Sequence, residues 1–459
     1  MAKAITEQTL LTAKSYEKKG EMDKARALYS TVLESFPNNK RAQQALRRLD
    51  PSKYVIALKE TNPSHDEMYA LSQLYSQGQL NEALKTVHNL ILKYPGSFLL
   101  WNTFAAINKG LGKVEKAEEG FRKAIELNYN YPPAHNNIGV ILNEQGKFDT
   151  AIEAYQVAIK INPNYFDAYN NLGNAFKGQG KPLEAIEAYR RALHLNPDSA
   201  TANNNLGVVL QEQGQLEAAI AAYQRAIAVK PDYSDAYNNI GVALIAKGKL
   251  DSAIEACQKA LEIKPDYAEA HNTMGVALQE QGKFDAALRS YYRALEIKAD
   301  YADAYNNIGN VFKIQCKLDA AIQAYRSALA INFDHSSAHN NMGTVLFQQG
   351  KIDDAIVAYQ RAITIKPAYT DAYNNMGVAL EDQAKLDLAI EAYLSALMIN
   401  PGFYAVEVQL IHVLFKVCDW SRVKQLSAPC ERSGLAAKLA PPFSMLSVED
   451  NPERQLIRS

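Results

Sequence analysis

The side chains that recur most regularly in this sequence are carboxamides. In seven of eight copies of a repeated segment, an asparagine stands two residues before the same glycine, and Thr273 takes its place in the other copy. The seven are Asn137, Asn171, Asn205, Asn239, Asn307, Asn341 and Asn375. An amide both donates and accepts hydrogen bonds. A spaced row of amides can therefore hold the main chain of an extended peptide without selecting its side chains.

A second asparagine precedes each member of this row, from Asn136 to Asn374. Asparagine is a poor residue for a helix interior because its side chain competes for the backbone. For the Asn136 series, a bond that spaces adjacent repeats is as good an explanation as a ligand contact. The Asn137 series belongs to a stripe that faces away from the packing stripe, so we expect it to line a groove that binds peptides.

Acidic residues flank the asparagine row. They are Asp167, Asp235, Glu269, Asp303 and Asp371 before it, and Glu144, Glu212, Glu280 and Asp382 after it. Together they would make the groove mildly acidic and favour neutral or basic segments. The alternative for the first set is that these carboxylates only complement the helix dipole.

A period of 34 residues positions these side chains. Pro163, Pro197, Pro231 and Pro265 are spaced at this interval. Such a period is typical of stacked repeats that bury their apolar faces only against their neighbours. In the copy 166–199, Tyr169, Leu172, Gly173 and Phe176 form one helical stripe.

The second half of this copy predicts a second helix. Ala185, Tyr189 and Ala192 lie on one face, Gly180 separates the two helices, and Pro197 ends the second. Each repeat is therefore predicted to be a helix pair. Aspartates at the start of the second helix are expected to cap its free N–H groups and to complement the helix dipole. They are Asp149, Asp251, Asp285, Asp319, Asp353 and Asp387.

Three departures from the pattern are expected to be tolerated. Cys316 and Ala384 replace the turn glycine, and if that turn is left-handed each either costs about 1 kcal/mol in strain or forces a different turn. Cys257 replaces the aromatic residue of the second helix. His135, His271 and His339 stand where other copies have tyrosine, and we interpret them as packing residues.

The motif Leu172-Gly173, Phe176, Ala185, Tyr189, Ala192 and Pro197 resembles that of the tetratricopeptide repeat family. The resemblance implies an all-α solenoid, a right-handed superhelix of antiparallel helix pairs whose first helices line the concave wall. It also implies protein or peptide partners.

The phase of the repeat divides the chain into four segments. Residues 1–63 hold a divergent helix pair and an extra helix over KRAQQALRRL, which ends near Asp50-Pro51. Residues 64–131 hold two degenerate repeats, residues 132–403 hold eight clear ones, and residues 404–459 hold a capping helix and a junction.

That junction resembles a second family. HVLFKVCDW and the later PPFSML, after these repeats, resemble the repeat arm of protein O-GlcNAc transferase and SPINDLY-like glycosyltransferases. In that family the arm recruits protein substrates, and a following catalytic region uses a nucleotide sugar. The residues after the junction are too few for such a region, so this chain is expected to be a non-enzymatic arm. Two alternatives stay open: a glycosyltransferase of which the chain is the non-catalytic portion, and a scaffold that associates with itself.

Composition argues against several other classes of protein. The net charge is −1 and no Lys/Arg block stands out, which disfavours nucleic acid as a partner. The apolar runs are too short to span a membrane and the first residues lack the core of a signal peptide, so we expect a cytoplasmic protein. Cys257, Cys316, Cys418 and Cys430 form no CxxC pair, and no hydrolase or phosphate-loop motif occurs. We expect no metal and no cofactor.

Overall fold

The computed structural model describes residues 2–35, 39–49 and 62–423, and within these ranges the regular structure is helical, with no strand. This confirms the all-α prediction. The chain divides into two compact units, Met1–Gln213 and Gly214–Ser459. The expectations for Asp50-Pro51, Cys430 and the PPFSML segment lie outside the described residues.

The helices follow the 34-residue period, and we number the repeats 1 to 10 from residue 64. The first helices span His65–Ser76, Phe98–Gly110, Pro132–Glu144, Phe166–Gly178, Ala200–Glu212, Ser234–Ala246, Ala268–Glu280, Ala302–Ile314, Ser336–Gln348 and Thr370–Asp382. The second helices span Leu80–Lys93, Val114–Leu127, Phe148–Ile161, Pro182–Leu195, Leu216–Val229, Leu250–Ile263, Phe284–Ile297, Leu318–Ile331, Ile352–Ile365 and Leu386–Ile399.

Additional helices lie on either side of the ten repeats. Ala2–Lys18 and Met22–Ser35 form the N-terminal pair, and the extra helix predicted after it spans Lys40–Leu49. After repeat 10, the apolar face of Tyr404–Lys416 is buried against the last repeat through Val406, Leu410 and Leu414.

The turn between the two helices of a repeat needs a left-handed residue. The turn glycines adopt φ between 69° and 76°. Cys316 and Ala384 keep this backbone, with φ of 58° and 59°, and so does Cys418 after the last repeat. The turn geometry is therefore retained even where a Cβ strains it.

The expected aspartate caps do not form. The residue before the second helix is a lysine or glutamine in all ten repeats, and its side chain makes no cap bond. The carboxylates of Asp149, Asp251, Asp319 and Asp353 instead accept a hydrogen bond from a glutamine 30 residues later, at the end of the next first helix. The capping prediction was wrong because it considered local partners only. The aspartates do lie in the first turn of the second helices, where a negative charge complements the helix dipole.

A glycine in the first helix and a tyrosine in the second hold each regular repeat together. A Cβ added to Gly173 would lie 2.6 Å from Cε1 of Tyr189, and one added to Gly309 would lie 2.5 Å from Cε1 of Tyr325. Both tyrosines are fully buried. In repeat 6 the smaller Cys257 takes this place, 2.8 Å from a Cβ on Gly241.

Candidate functional site

The candidate site lies along the first helices. In the first unit, the first helix of repeat 4 contacts those of repeats 3 and 5. In the second unit, the first helices of repeats 6 to 10 contact one another in sequence. The asparagines lie near the middle of these helices, so each unit places its amides side by side.

In the first unit, each asparagine of the row donates to the preceding repeat. Asn137 Nδ2 donates to Asn102 Oδ1 over 3.3 Å, and Asn171 Nδ2 donates to Asn136 Oδ1 over 3.0 Å. Asn205 Nδ2 lies 3.4 Å from Asn170 Oδ1 and 3.3 Å from Asn174 Oδ1. The first helices of repeats 2 to 5 are thus linked by amides.

The second unit repeats the arrangement. Asn307 donates to Asn272, Asn341 to Asn306 and Asn375 to Asn340, each over 3.0 Å. Asn239 occupies the equivalent position of repeat 6 and is half-buried.

The two asparagine series are therefore partners in one set of bonds. We expected the spacing role only for the Asn136 series, but the Asn137 series supplies the donors. The series nevertheless differ in exposure: most members of the Asn136 series are buried, whereas all seven members of the Asn137 row are half-buried. The row is accessible from one side while it bonds to the neighbouring repeat on the other.

Part of the hydrogen-bonding capacity of the row stays available. An amide nitrogen carries two hydrogens, and in most of the row one is used for the neighbouring repeat, whereas Asn205 contacts two acceptors there. Among the described residues, Oδ1 of Asn171, Asn341 and Asn375 accepts no bond from the protein, while Oδ1 of Asn137 and Asn307 accepts a long one from the adjacent asparagine, over 3.3 Å and 3.4 Å. The row can therefore both accept from and donate to a ligand.

Buried tyrosines support the row from behind. The hydroxyls of Tyr189 and Tyr325 donate to Asn174 and Asn310, over 2.7 Å and 2.9 Å. Burial raises the pKa of both tyrosines, so the hydroxyls remain protonated donors. Each bond holds in place an amide that lies one helical turn beyond the row.

The acids beside the row are partly neutralised. Lys109 pairs with Glu144 over 2.9 Å and Lys177 with Glu212 over 3.4 Å, each between first helices of adjacent repeats. Asp303 lies 3.1 Å from Nε2 of His335, and this hydrogen bond lowers the pKa of the carboxyl group. The preference for basic cargo stays a prediction.

The histidines of the first helices are packing residues, as predicted. Nε2 of His135, His271 and His339 lies within 3.1 Å of the backbone carbonyl six residues earlier. Trp101 and Asn203 stand at the same position in other repeats, and each also donates to the backbone carbonyl six residues earlier. Burial lowers the pKa of His271 and His339.

Neither a metal centre nor a membrane helix is found in the part of the chain that the structure describes. No three His, Cys, Asp or Glu residues there are placed to hold an ion. No helix there is both long and apolar enough to cross a bilayer.

Sequence reasoning missed the acceptor Asn102 and the glutamine–aspartate bonds. Asn102 stands one period before Asn136, and the glutamines and aspartates of these bonds recur with the 34-residue period. Aligning all ten copies column by column would have revealed them.

Comparison with known proteins identifies the repeat. A model described as a TPR repeat matches residues 139–180 and 343–384. Models described as tetratricopeptide repeats match residues 10–39, 100–131, 170–228, 209–268, 266–332 and 370–403. No curated protein sequence matches the chain.

Solved structures of other repeat proteins are similar to parts of the chain. MamA is 36% identical over 36% of this chain and 98% of its own, with a TM-score of 0.33. YrrB, described as a TPR protein with an unusual peptide-binding site, is 26% identical over 41% of this chain and 97% of its own, with a TM-score of 0.35. A tetratricopeptide repeat protein from Parabacteroides merdae is 17% identical over 54% and 98%, with a TM-score of 0.49.

Proposed function

Because this chain belongs to the tetratricopeptide repeat family, we propose that it is a non-enzymatic scaffold that binds extended peptide segments through its asparagine row. The observation that carries the proposal is the half-exposed row itself. Its amides are held in register by the neighbouring repeat and keep further donors and acceptors available.

The row suits a main chain better than a particular side chain. An extended peptide presents N–H and C=O groups at regular intervals. The Oδ1 atoms of Asn171, Asn341 and Asn375 can accept from such N–H groups, and the second hydrogen of each amide can donate to the carbonyls. Because the bonds between repeats fix each amide before a ligand arrives, little side-chain entropy is lost on binding.

The test compares two variants that break the same number of bonds between repeats. The first is Asn307→Ala, Asn341→Ala and Asn375→Ala, which removes three amides of the row. The second is Gln281→Ala, Gln349→Ala and Gln383→Ala, which removes three amide donors to Asp251, Asp319 and Asp353. Both sets lie in the second unit. Peptides selected from a random library on the wild-type chain serve as the probe.

We expect the asparagine variant to lose at least about tenfold in affinity, equivalent to about 1.4 kcal/mol, and the glutamine variant to bind like wild type. N-methylation of successive peptide amides should weaken binding at alternating positions, because it removes main-chain donors. Equal affinity of both variants, or indifference to N-methylation, would contradict the proposal. If no peptide is selected and light scattering detects oligomers, the chain is instead a self-associating scaffold.

The charge beside the row predicts a preference among peptides. If the acids of the first helices act on cargo, a basic peptide should bind more tightly than an acidic one of the same length at low salt. The difference should shrink as salt screens the charges. Equal binding of the two peptides at low salt would eliminate this preference and leave the main-chain contacts untouched.

We also propose a finer assignment, that the chain is the substrate-recruiting arm of a protein O-GlcNAc transferase-like protein. It is supported by the sequence alone, through HVLFKVCDW after the repeats and PPFSML beyond them. An antibody raised against the repeats should detect in the source cells a product longer than 459 residues. That product, once captured, should turn over a nucleotide sugar. A product of this length, without such turnover in its complexes, would contradict the assignment.

A further inference from the structure

Repeat 2 breaks the pattern at a core position of its first helix. Every other repeat has leucine or phenylalanine there, and repeat 2 has Asn108. The apolar residues are Leu74, Leu142, Phe176, Leu210, Leu244, Leu278, Phe312, Leu346 and Leu380. The Asn108 side chain is fully buried.

Asn108 is only half satisfied. Its Nδ2 donates to the carbonyl of Phe104 over 2.8 Å, and its buried Oδ1 has no hydrogen-bond partner in the described part of the chain. A buried acceptor without a partner costs about 1–3 kcal/mol, whereas leucine at this place would cost nothing. A residue that breaks the local rule at such a cost indicates a functional site.

Asn108 lines a cleft of about 680 Å³ between the second helix of repeat 1 and the helix pair of repeat 2. Two aromatic residues of the same helix, Trp101 and Phe104, line it as well, and their ring centroids lie 5.7 Å apart in an edge-to-face arrangement. The cleft therefore combines aromatic walls with one side chain that lacks a donor, which is typical of small-molecule sites.

The same place four repeats later provides an internal reference. There, Tyr237, Ile240 and Leu244 occupy the positions of Trp101, Phe104 and Asn108, and the cleft measures about 290 Å³. At this position, the enlarged cleft and the unpartnered oxygen therefore occur together in repeat 2. Among the described residues, other repeats also hold buried side-chain oxygens without a partner, such as Oδ1 of Asn238 in repeat 6, but none of these lines the smaller cleft.

The charged side chains at the edge of the cleft are two lysines and one glutamate, so the edge carries a net positive charge. Lys85, Lys116 and Glu119 line it and are exposed, and no ion pair joins these three side chains to one another. An uncharged or anionic ligand is therefore favoured over a cationic one.

We propose that this cleft binds a planar aromatic ring that carries an N–H or O–H donor, of the indole or phenol class. The ring packs against Trp101 and Phe104, and its donor satisfies Asn108 Oδ1, which binding must first uncover because this oxygen is buried in the free chain. The site is independent of the asparagine row. The ring belongs either to a free metabolite or to a side chain of a partner protein, and the two sources share this chemistry.

Fluoroindole and its N-methyl derivative are suitable probes, observed by fluorine NMR and titrated calorimetrically into the full chain. The two molecules have nearly the same shape, and only the first has a donor. We expect saturable binding of fluoroindole and binding of the N-methyl derivative about tenfold weaker or more. A short peptide with a central tryptophan, titrated calorimetrically, distinguishes a side-chain ligand from a free one.

Asn108→Leu introduces the residue of the other repeats, so the variant should fold and should melt at a higher temperature than wild type. We expect it to lose fluoroindole binding. Leu244→Asn, at the matching position of the smaller cleft, should lower the melting temperature without changing fluoroindole binding.

Three outcomes would overturn the proposal: no saturable binding of fluoroindole, equal binding of the two indoles, or unchanged binding of fluoroindole to the Asn108→Leu variant. The peptide arm does not decide for or against the site. Tighter binding of the peptide assigns the site to a partner side chain, and exclusion of the peptide assigns it to a free molecule.

Discussion

Repeats 8 and 2 achieve the same close approach of two helices with different residues. In repeat 8, Gly309 of the first helix faces the ring of Tyr325. In repeat 2, Ala105 and Phe121 stand at these places, and the small residue is Gly120 on the second helix, where a Cβ would lie 2.9 Å from that of Ala105. The packing constraint therefore applies to the helix pair and not to a single position.

The largest effect is expected from breaking this pairing in repeat 8. Gly309→Ala would place a methyl group 2.5 Å from the ring of Tyr325, which must move from a fully buried position. We expect a loss of about 3 kcal/mol in the stability of repeat 8. Urea denaturation combined with amide hydrogen exchange measures this loss locally, because repeat arrays do not always unfold in one step.

Transfer of the whole set from repeat 2 is the control for this prediction. The triple variant Gly309→Ala, Ala324→Gly and Tyr325→Phe reproduces Ala105, Gly120 and Phe121. It should recover most of the lost stability. If it is as unstable as the single variant, the pairing argument fails.

A smaller effect is expected at the turns, where repeats 8 and 10 differ from their neighbours. Cys316→Gly and Ala384→Gly should each stabilise the chain by about 1 kcal/mol, because they remove a Cβ from a left-handed backbone. The reverse change, Gly350→Ala in repeat 9, should destabilise by a similar amount. Equal melting temperatures for all three variants and wild type would show that this turn carries no strain.

The smallest effect concerns pH and compares repeats with histidine against repeats with tyrosine. Burial lowers the pKa of His271 and His339 in the folded chain, below the unfolded value of about 6.5. Their neutral form therefore contributes stability above that pH, and the contribution is lost as the pH falls through the folded pKa.

Replacement of both histidines by tyrosine, the residue of repeats 8 and 10, should flatten the pH dependence on the acid side. Denaturation midpoints measured at neutral and mildly acidic pH check this expectation. A change of the exposed His194 to tyrosine serves as the control and should leave the slope unchanged. An unaltered slope in the double variant would mean that other groups dominate.

The sequence predicted the fold well because the constraints on it are local. Periodic apolar residues, turn glycines and terminal prolines fixed the helix pairs, and the helix Lys40–Leu49 was also foreseen. The asparagine row stands out in the sequence for the same reason, because it recurs, and its role in binding stays a prediction.

The roles of individual polar residues were harder to predict, because their partners lie in other repeats. Asp149 bonds Gln179 and not its own helix, and Asn171 bonds Asn136. Asn108 was missed for the opposite reason, because it occurs at its position in one repeat only and a search for recurring residues does not find it. Burial, which the sequence does not show, distinguishes it from a surface amide.

The bonds between repeats have a consequence for how such a gene can change. Asn341 donates to Asn306 and Gln349 to Asp319, and in each case an equivalent acceptor, Asn272 or Asp285, stands one period earlier. Excision of residues 302–335 would place repeat 9 directly after repeat 7. The donors Asn341 and Gln349 would then meet the acceptors Asn272 and Asp285. Unequal recombination between copies could therefore shorten or lengthen the protein by whole periods and yield a chain that still folds.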